Sequence, residues 1–122
     1  YQHAVALKAA QTMLQANPDI NLIVGADQGA TGAEIAARGA NRDVVLVGYG
    51  AGGAGLKAVK ASRWYGTVVQ RPATTGRRGM QCVVAAVRNN SKCGGIDVLK
   101  GLPNGGVVTR ANASKFKAEW PG

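Results

Sequence analysis

At 122 residues and 46% hydrophobic content, the chain is long enough for about one domain with a modest core. Aromatic residues make up only 5%, so that core must be built from Ala, Val, Leu and Ile. The 18 glycines follow no collagen period, no stretch approaches the ~20 apolar residues of a membrane span, and the net charge of +9 is spread along the chain.

A basic balance of this size suits either phosphate neutralisation or a solvated face on an exported protein. With no helix-turn-helix, RRM motif or zinc finger in the sequence, no nucleic-acid partner is expected. Only Arg77-Arg78 and Lys115/Lys117 cluster at all.

His3 to Ala16 carries Leu7, Ala10 and Leu14 at helical spacing, and Asn17-Pro18-Asp19 stops that helix. Ile20 to Gly25 is a short apolar run that reads as a buried strand. Ala30 to Gly39 is Ala-rich and helical, with Gly39 as its cap. Val44 to Gly48 reads as a second strand, and Gly55 to Ser62 as a helix after a glycine turn. Trp64 to Val69 is a third strand, ended by Gln70-Arg71-Pro72. Thr74 to Asn89 is the longest helix, with Met80, Val83, Val84 and Val87 expected inward.

This alternation implies an α/β fold, a parallel sheet covered by helices on both faces in three α/β/α layers. From Asn90 the character changes. Ile96 to Leu99 and Val107 to Thr109 are the remaining strand candidates, and Thr109 or Asn112 is placed to cap a last short helix before Pro121. Residues 1–90 thus form a regular α/β part and residues 91–122 an irregular tail. Three strong strands fall short of the five or six usual in open sheets, and the first element is a helix with no strand before it. The chain is expected to be an incomplete piece of a larger protein.

In open α/β sheets ligands sit at the carboxyl ends of the strands. Here those ends read VGADQ (Val24 to Gln28), VGYGAGG (Val47 to Gly53) and VVQRP (Val68 to Pro72). Asp27 is either the N-cap of the next helix, bonding its first amides, or a hydrogen-bond acceptor in the cleft. Gln70 is a neutral donor and acceptor that caps nothing in the sequence, which marks it as a ligand contact. Tyr49 is placed to stack on an apolar ring face or to pack locally. Arg71 either pairs with an anionic ligand or is solvated.

Gly48 to Gly53 matches G-x-G-x-x-G after a strand and before a helix, the context of a dinucleotide fingerprint. The acid that should follow ~20 residues later is missing, since after Asp43 the next is Asp97. No cofactor is expected. There is no nucleophile elbow, no carboxylate pair at useful spacing and a single histidine, so no enzymatic activity is expected. The two cysteines, Cys82 and Cys93, form no C-x-x-C, which argues against a metal site. They are either two free thiols or a disulfide clipping the end of the long helix to the loop after it, in an oxidising compartment.

The runs NPDINLIVGADQGATGAEIA, DVVLVGYG and WYGTVVQRPATTGRRGMQ, with the closing VVTRANASKFKAEWPG, carry a resemblance along nearly the whole chain. In that order and spacing the chain resembles the carboxyl-terminal lobe of type I periplasmic binding proteins, the ribose-binding-protein-like sugar receptors of ABC importers. The resemblance implies a two-lobed protein that encloses a small polar solute between its lobes and presents it to a membrane permease. It also implies a periplasmic or extracellular location, with lipid anchoring one form of it. The missing amino-terminal lobe, or another chain, would then cover the open sheet edge. Sugar binders of the family use a polar residue at the position of Ala26, an Asp at that of Gly50 and a Gln at that of Gln70. Only Gln70 keeps that chemistry. Loss of the Asp removes a charged acceptor worth about 1.5–3 kcal/mol and points to a less hydroxylated molecule, a different sugar bound another way or a small non-sugar metabolite. Asp27 matches a common acidic position of the motif. The alternative is the effector-binding core of a LacI-type transcription regulator, which shares this fold.

Overall fold

The computed structural model describes residues 2–122. Their order is α1 (His3–Ala16), β1 (Leu22–Ala26), α2 (Asp27–Gly39), β2 (Val45–Gly50), α3 (Gly53–Lys60), β3 (Gly66–Val69), α4 (Pro72–Asn89) and β4 (Val107–Thr109). The α-β alternation expected from apolar periodicity is present, with boundaries moved by a few residues. Trp64 precedes the third strand instead of opening it. It is buried, and its indole Nε1 donates to Glu34 Oε2 at 2.9 Å, beside the Arg63–Glu34 ion pair.

The sheet runs β1-β2-β3-β4, with the first three strands parallel and β4 antiparallel to β3. Successive strands step across the sheet in one direction. Right-handed crossovers therefore carry α2 and α3 onto the same face. There Leu46, Val69 and Val108 join Ala30, Ala33, Ala37, Leu56 and Val59 in one core. The other face alternates with it residue by residue and lies open: Leu22, Val24, Val45, Tyr49 and Val107 are all exposed. Within this chain α2 and α3 cover one face of the sheet, and the helical layer expected on the other face is not formed by the described residues.

The first helix packs against α2 and not directly on the sheet. The two approach so closely that a Cβ on Gly32 would stand 2.7 Å from the Leu7 backbone nitrogen and 2.8 Å from Ala6 Cβ. Ala10 and Leu14 are the buried residues of α1.

Three expectations for the last third are corrected. Along α4 the apolar stripe of Met80, Val83, Val84 and Val87 is exposed, and Thr74 is the buried residue of that helix. The stripe has the periodicity of a core face, but no element of the described residues packs on it. Ile96 to Leu99 forms no strand, since the Leu99 amide donates to the Asp97 carboxylate at 2.8 Å and curls the backbone. The closing helix is only a 3-10 turn, Ala113–Lys115. Asn112 does not cap it with its side chain, which instead accepts from the Thr109 amide at 2.8 Å and donates to the Val107 carbonyl at 2.9 Å. Cys82 and Cys93 are joined in a disulfide, Cα to Cα 5.8 Å, which ties α4 to the following loop.

Gly32→Ala is expected to lower the unfolding free energy by about 1–3 kcal/mol through overpacking. Gly29→Ala, whose Cβ meets nothing within 4 Å, should raise it by roughly 0.5–1 kcal/mol by favouring the helix. Urea titration of both variants beside the parent chain checks the contrast.

Candidate functional site

Parallel registry sets Ala26 beside Tyr49, Tyr49 beside Val68 and Gly50 beside Val69, so the three strands end in one row. The row holds every residue singled out from the sequence, but does not use them alike. Ala26 is half-buried and takes the N-cap position of α2 with no side-chain bond. Asp27, expected as cap or ligand acceptor, is the first residue of that helix and turns inward. It is 1% exposed. The Gly52 amide donates to its Oδ2 at 2.6 Å and the Thr67 hydroxyl to its Oδ1 at 3.1 Å, while Thr67 Oγ1 accepts from the Ala51 amide at 3.3 Å.

Glycines make room for this carboxylate. A Cβ at Gly48 would stand 2.6 Å from Oδ1, and one at Gly55 would collide with Oδ2. Burial pushes the Asp27 carboxyl above its usual range, partly offset by the hydrogen bonds from Gly52, Thr67 and Ala51. With both oxygens bonded inward, Asp27 is a structural keystone of the strand ends and offers nothing to the cleft.

Gln70 behaves differently. It is exposed at the end of β3, and its backbone amide donates to the Gly50 carbonyl at 3.0 Å. Among the described residues its side-chain amide makes no hydrogen bond. Tyr49, half exposed, stands on the neighbouring strand. Together with Arg71, Pro72, Thr75 and Val98 they line a depression of about 610 Å³.

Arg71, read from the sequence as a partner for an anionic ligand or a solvated side chain, is instead paired within the protein. Its Nε bonds Glu119 Oε1 at 3.0 Å and its Nη1 donates to the Val98 carbonyl at 3.0 Å. Glu119 also accepts from the Thr74 amide at 2.8 Å and from the Thr74 hydroxyl. This carboxylate therefore serves the first turn of α4 from far along the chain. Burial raises the Glu119 carboxyl, but the Thr74 hydrogen bonds and the Arg71 guanidinium outweigh it and hold the group below its ordinary value.

The glycine turn is not a phosphate cradle. Its amides already have partners: Gly52 donates to Asp27, Gly53 to the Trp120 carbonyl at 3.0 Å and Ala54 to the Pro121 carbonyl at 2.9 Å. Gly50, with φ of +149°, gives its carbonyl to the Trp120 indole Nε1 at 3.3 Å. The glycines let the carboxyl-terminal segment lie on the turn. Neither Glu119 nor Trp120 was legible as a site residue, because each acts on a partner 45 to 70 positions away.

A family model described as a periplasmic binding protein domain matches residues 1–91. The chain belongs to that family. It is a family of solute-binding proteins and not of enzymes. Among solved structures, the family fold recurs in an ABC transporter periplasmic solute-binding protein of Actinobacillus succinogenes with bound D-allose. That match has TM-score 0.82 and 22% identity, over 95% of this chain and 40% of that one. The Caulobacter myo-inositol binding protein matches with TM-score 0.80 and 23% identity, over 97% and 40%. A solute-binding protein of Agrobacterium vitis with bound D-fucose gives 0.76 and 27%, over 93% and 39%. The chain thus spans about two-fifths of the length of these family members. No curated protein matches it.

A lowered carboxyl contributes stability that is present above its ordinary value of 4.5 and is lost as the pH falls through the lower native value. Glu119→Gln should therefore be less stable than the parent at pH 7, by about 1–3 kcal/mol. The gap should close as both are acidified from pH 5 toward pH 2. Thermal unfolding of the two proteins across that range measures it, and a gap independent of pH would assign the loss to packing.

Proposed function

We propose that the chain is part of the carboxyl-terminal lobe of a two-lobed receptor of an ABC uptake system. The receptor closes around a neutral polar solute of the sugar or polyol class and presents it to a membrane permease. The observation that carries this reading is the pairing of Gln70 and Tyr49 at the strand ends. They are an exposed amide and phenol, while Asp27 and Arg71 beside them are engaged internally. Asp27 is bonded to Gly52 and Thr67, and Arg71 to Glu119. A wall of this kind suits hydroxyl groups better than a cation or an anion, because an ionic ligand would have no free counter-charge.

The D-allose, myo-inositol and D-fucose bound by the similar structures agree with that class. The Cys82–Cys93 disulfide suits an exported protein, periplasmic or extracellular, better than a regulator in the reducing cytosol.

The open surfaces fit the same reading. The exposed sheet face, the free edge of β1 and the apolar stripe of α4 are three surfaces that water contacts in this chain. In the intact receptor the rest of this lobe covers the sheet. The segment from Arg71 to Gly106, which leaves the sheet at β3 and returns beside it at β4, carries α4 onto the second lobe. Apolar surface on this scale marks an interface.

Two measurements test this. In the intact protein, calorimetric titration with D-allose, myo-inositol and D-fucose should give binding to at least one. Gln70→Ala should then weaken that binding by about tenfold or more, ~1.4 kcal/mol. Silence with all three sugars overturns the solute class, while unchanged affinity removes Gln70 alone. Val84→Asp should destabilise the intact protein by about 2–4 kcal/mol, since it would bury an unpaired charge, yet change the isolated chain by less than about 0.5 kcal/mol. Equal effects in denaturant titrations of the two would refute the docking of α4.

A further inference from the structure

The carboxyl-terminal segment crosses the strand ends as a strap. Glu119 holds it to the start of α4 through Thr74 and Arg71. One residue on, the Trp120 indole donates to the Gly50 carbonyl at 3.3 Å, and the Trp120 and Pro121 carbonyls then accept the Gly53 and Ala54 amides. The strap therefore passes over the ends of β3 and β2, the side of the sheet where an α/β fold holds its ligand.

Gly50 sits under it. Its carbonyl accepts from both the Gln70 amide and the Trp120 indole, so the two residues meet through one oxygen. A Cβ at Gly50 would stand 2.8 Å from Trp120 Cζ2, and the φ of +149° is one that only glycine adopts without strain. The indole fills the space that a side chain at position 50 would need. Trp120 nonetheless remains partly exposed.

We propose that Trp120 is a specificity-determining residue of the binding site, placing an indole surface at the end of β2 beside Gln70. This rests on the solute-binding reading above and deepens it by naming the ligand edge that the surface accepts. The indole has a single hydrogen-bond donor, already given to Gly50. A ligand hydroxyl seated on it would lose its water without gaining a partner, whereas a C–H face or a methyl group would gain contact. The site therefore favours a ring with one hydroxyl-poor edge, as in a deoxy sugar, over its fully hydroxylated counterpart.

The test uses the intact protein and two matched pairs: D-fucose with D-galactose, which differ by one hydroxyl, and 6-deoxy-D-glucose with D-glucose. Wild type is expected to bind a deoxy member about tenfold more tightly than its partner. Trp120→Ala should reduce that ratio to about threefold or less, and Trp120→Phe, which keeps the ring and loses the N–H, should preserve it. Circular dichroism and thermal unfolding confirm that each variant is folded. A purely structural strap would lower all affinities together and leave the ratio unchanged in Trp120→Ala, which overturns the proposal. So does a Phe variant that behaves like Ala, since the anchor and not the ring would then matter. Wild-type binding without preference for either deoxy member overturns the proposal and leaves the receptor function standing. Absence of binding to these four sugars, D-allose and myo-inositol removes both.

Discussion

The strand ends are organised around one buried carboxylate. Asp27 is covered by protein on all sides, and an isolated charge in that position would be prohibitively costly. Hydrogen bonds from Gly52 and Thr67 offset that cost, and the Ala51 amide fixes the Thr67 hydroxyl that makes one of them. The end of β1, the exit turn of β2 and the middle of β3 are thereby drawn to one point. Because the donors on the β2–α3 turn are backbone amides, the turn has little freedom to relax. The Gly50 carbonyl is consequently fixed in place, and it is this oxygen that meets both Gln70 and Trp120. The candidate binding groups inherit their position from a residue that is itself buried.

A second carboxylate does for the strap what Asp27 does for the strands. Glu119 joins the Arg71 turn to the first residues of α4. Both of these acids are therefore structural, and Arg71, the guanidinium that lines the depression, is paired within the protein. Chain composition points the other way, since a net charge of +9 suggests an electropositive surface. At this site the local pairing decides instead, because a partner at hydrogen-bond distance outweighs screened charges elsewhere on the surface. In the proposed site the groups offered to a ligand are an amide, a phenol and an indole.

Much of the fold was legible in the sequence, and the failures have a common physical origin. The three parallel strands and their helices announce themselves through short apolar runs and helical spacing, which are local signals. The α4 stripe reads from the sequence as an inward face and is exposed in this chain, since periodicity cannot say what covers a face. Asp27 reads from the sequence as a cap or a cleft acceptor, because a carboxylate before an Ala-rich helix normally serves that helix and a strand end normally faces a ligand. Its true donors lie on the β2–α3 turn and β3, 25 and 40 positions later. The exposed position of Gln70 is legible because a neutral side chain at a strand's carboxyl end needs no distant partner. Trp120 is not, because nothing in the EWPG tail specifies that its indole returns to residue 50.

The glycine turn shows how much such distance matters. G-x-G-x-x-G after a strand signals a helix whose free amides await a phosphate. The signal rests on two separate properties, small residues that allow close approach and donors with no partner in the protein. Here the first property holds and the second does not. What approaches the glycines is the chain's own closing segment, whose carbonyls take the Gly53 and Ala54 amides while Asp27 takes that of Gly52. The same absence of side chains that would admit a pyrophosphate admits an indole ring and two peptide groups. The motif therefore records only that something lies close against the turn. Identifying the occupant requires knowing where each amide proton goes, and in this chain the three at the turn are accounted for from within.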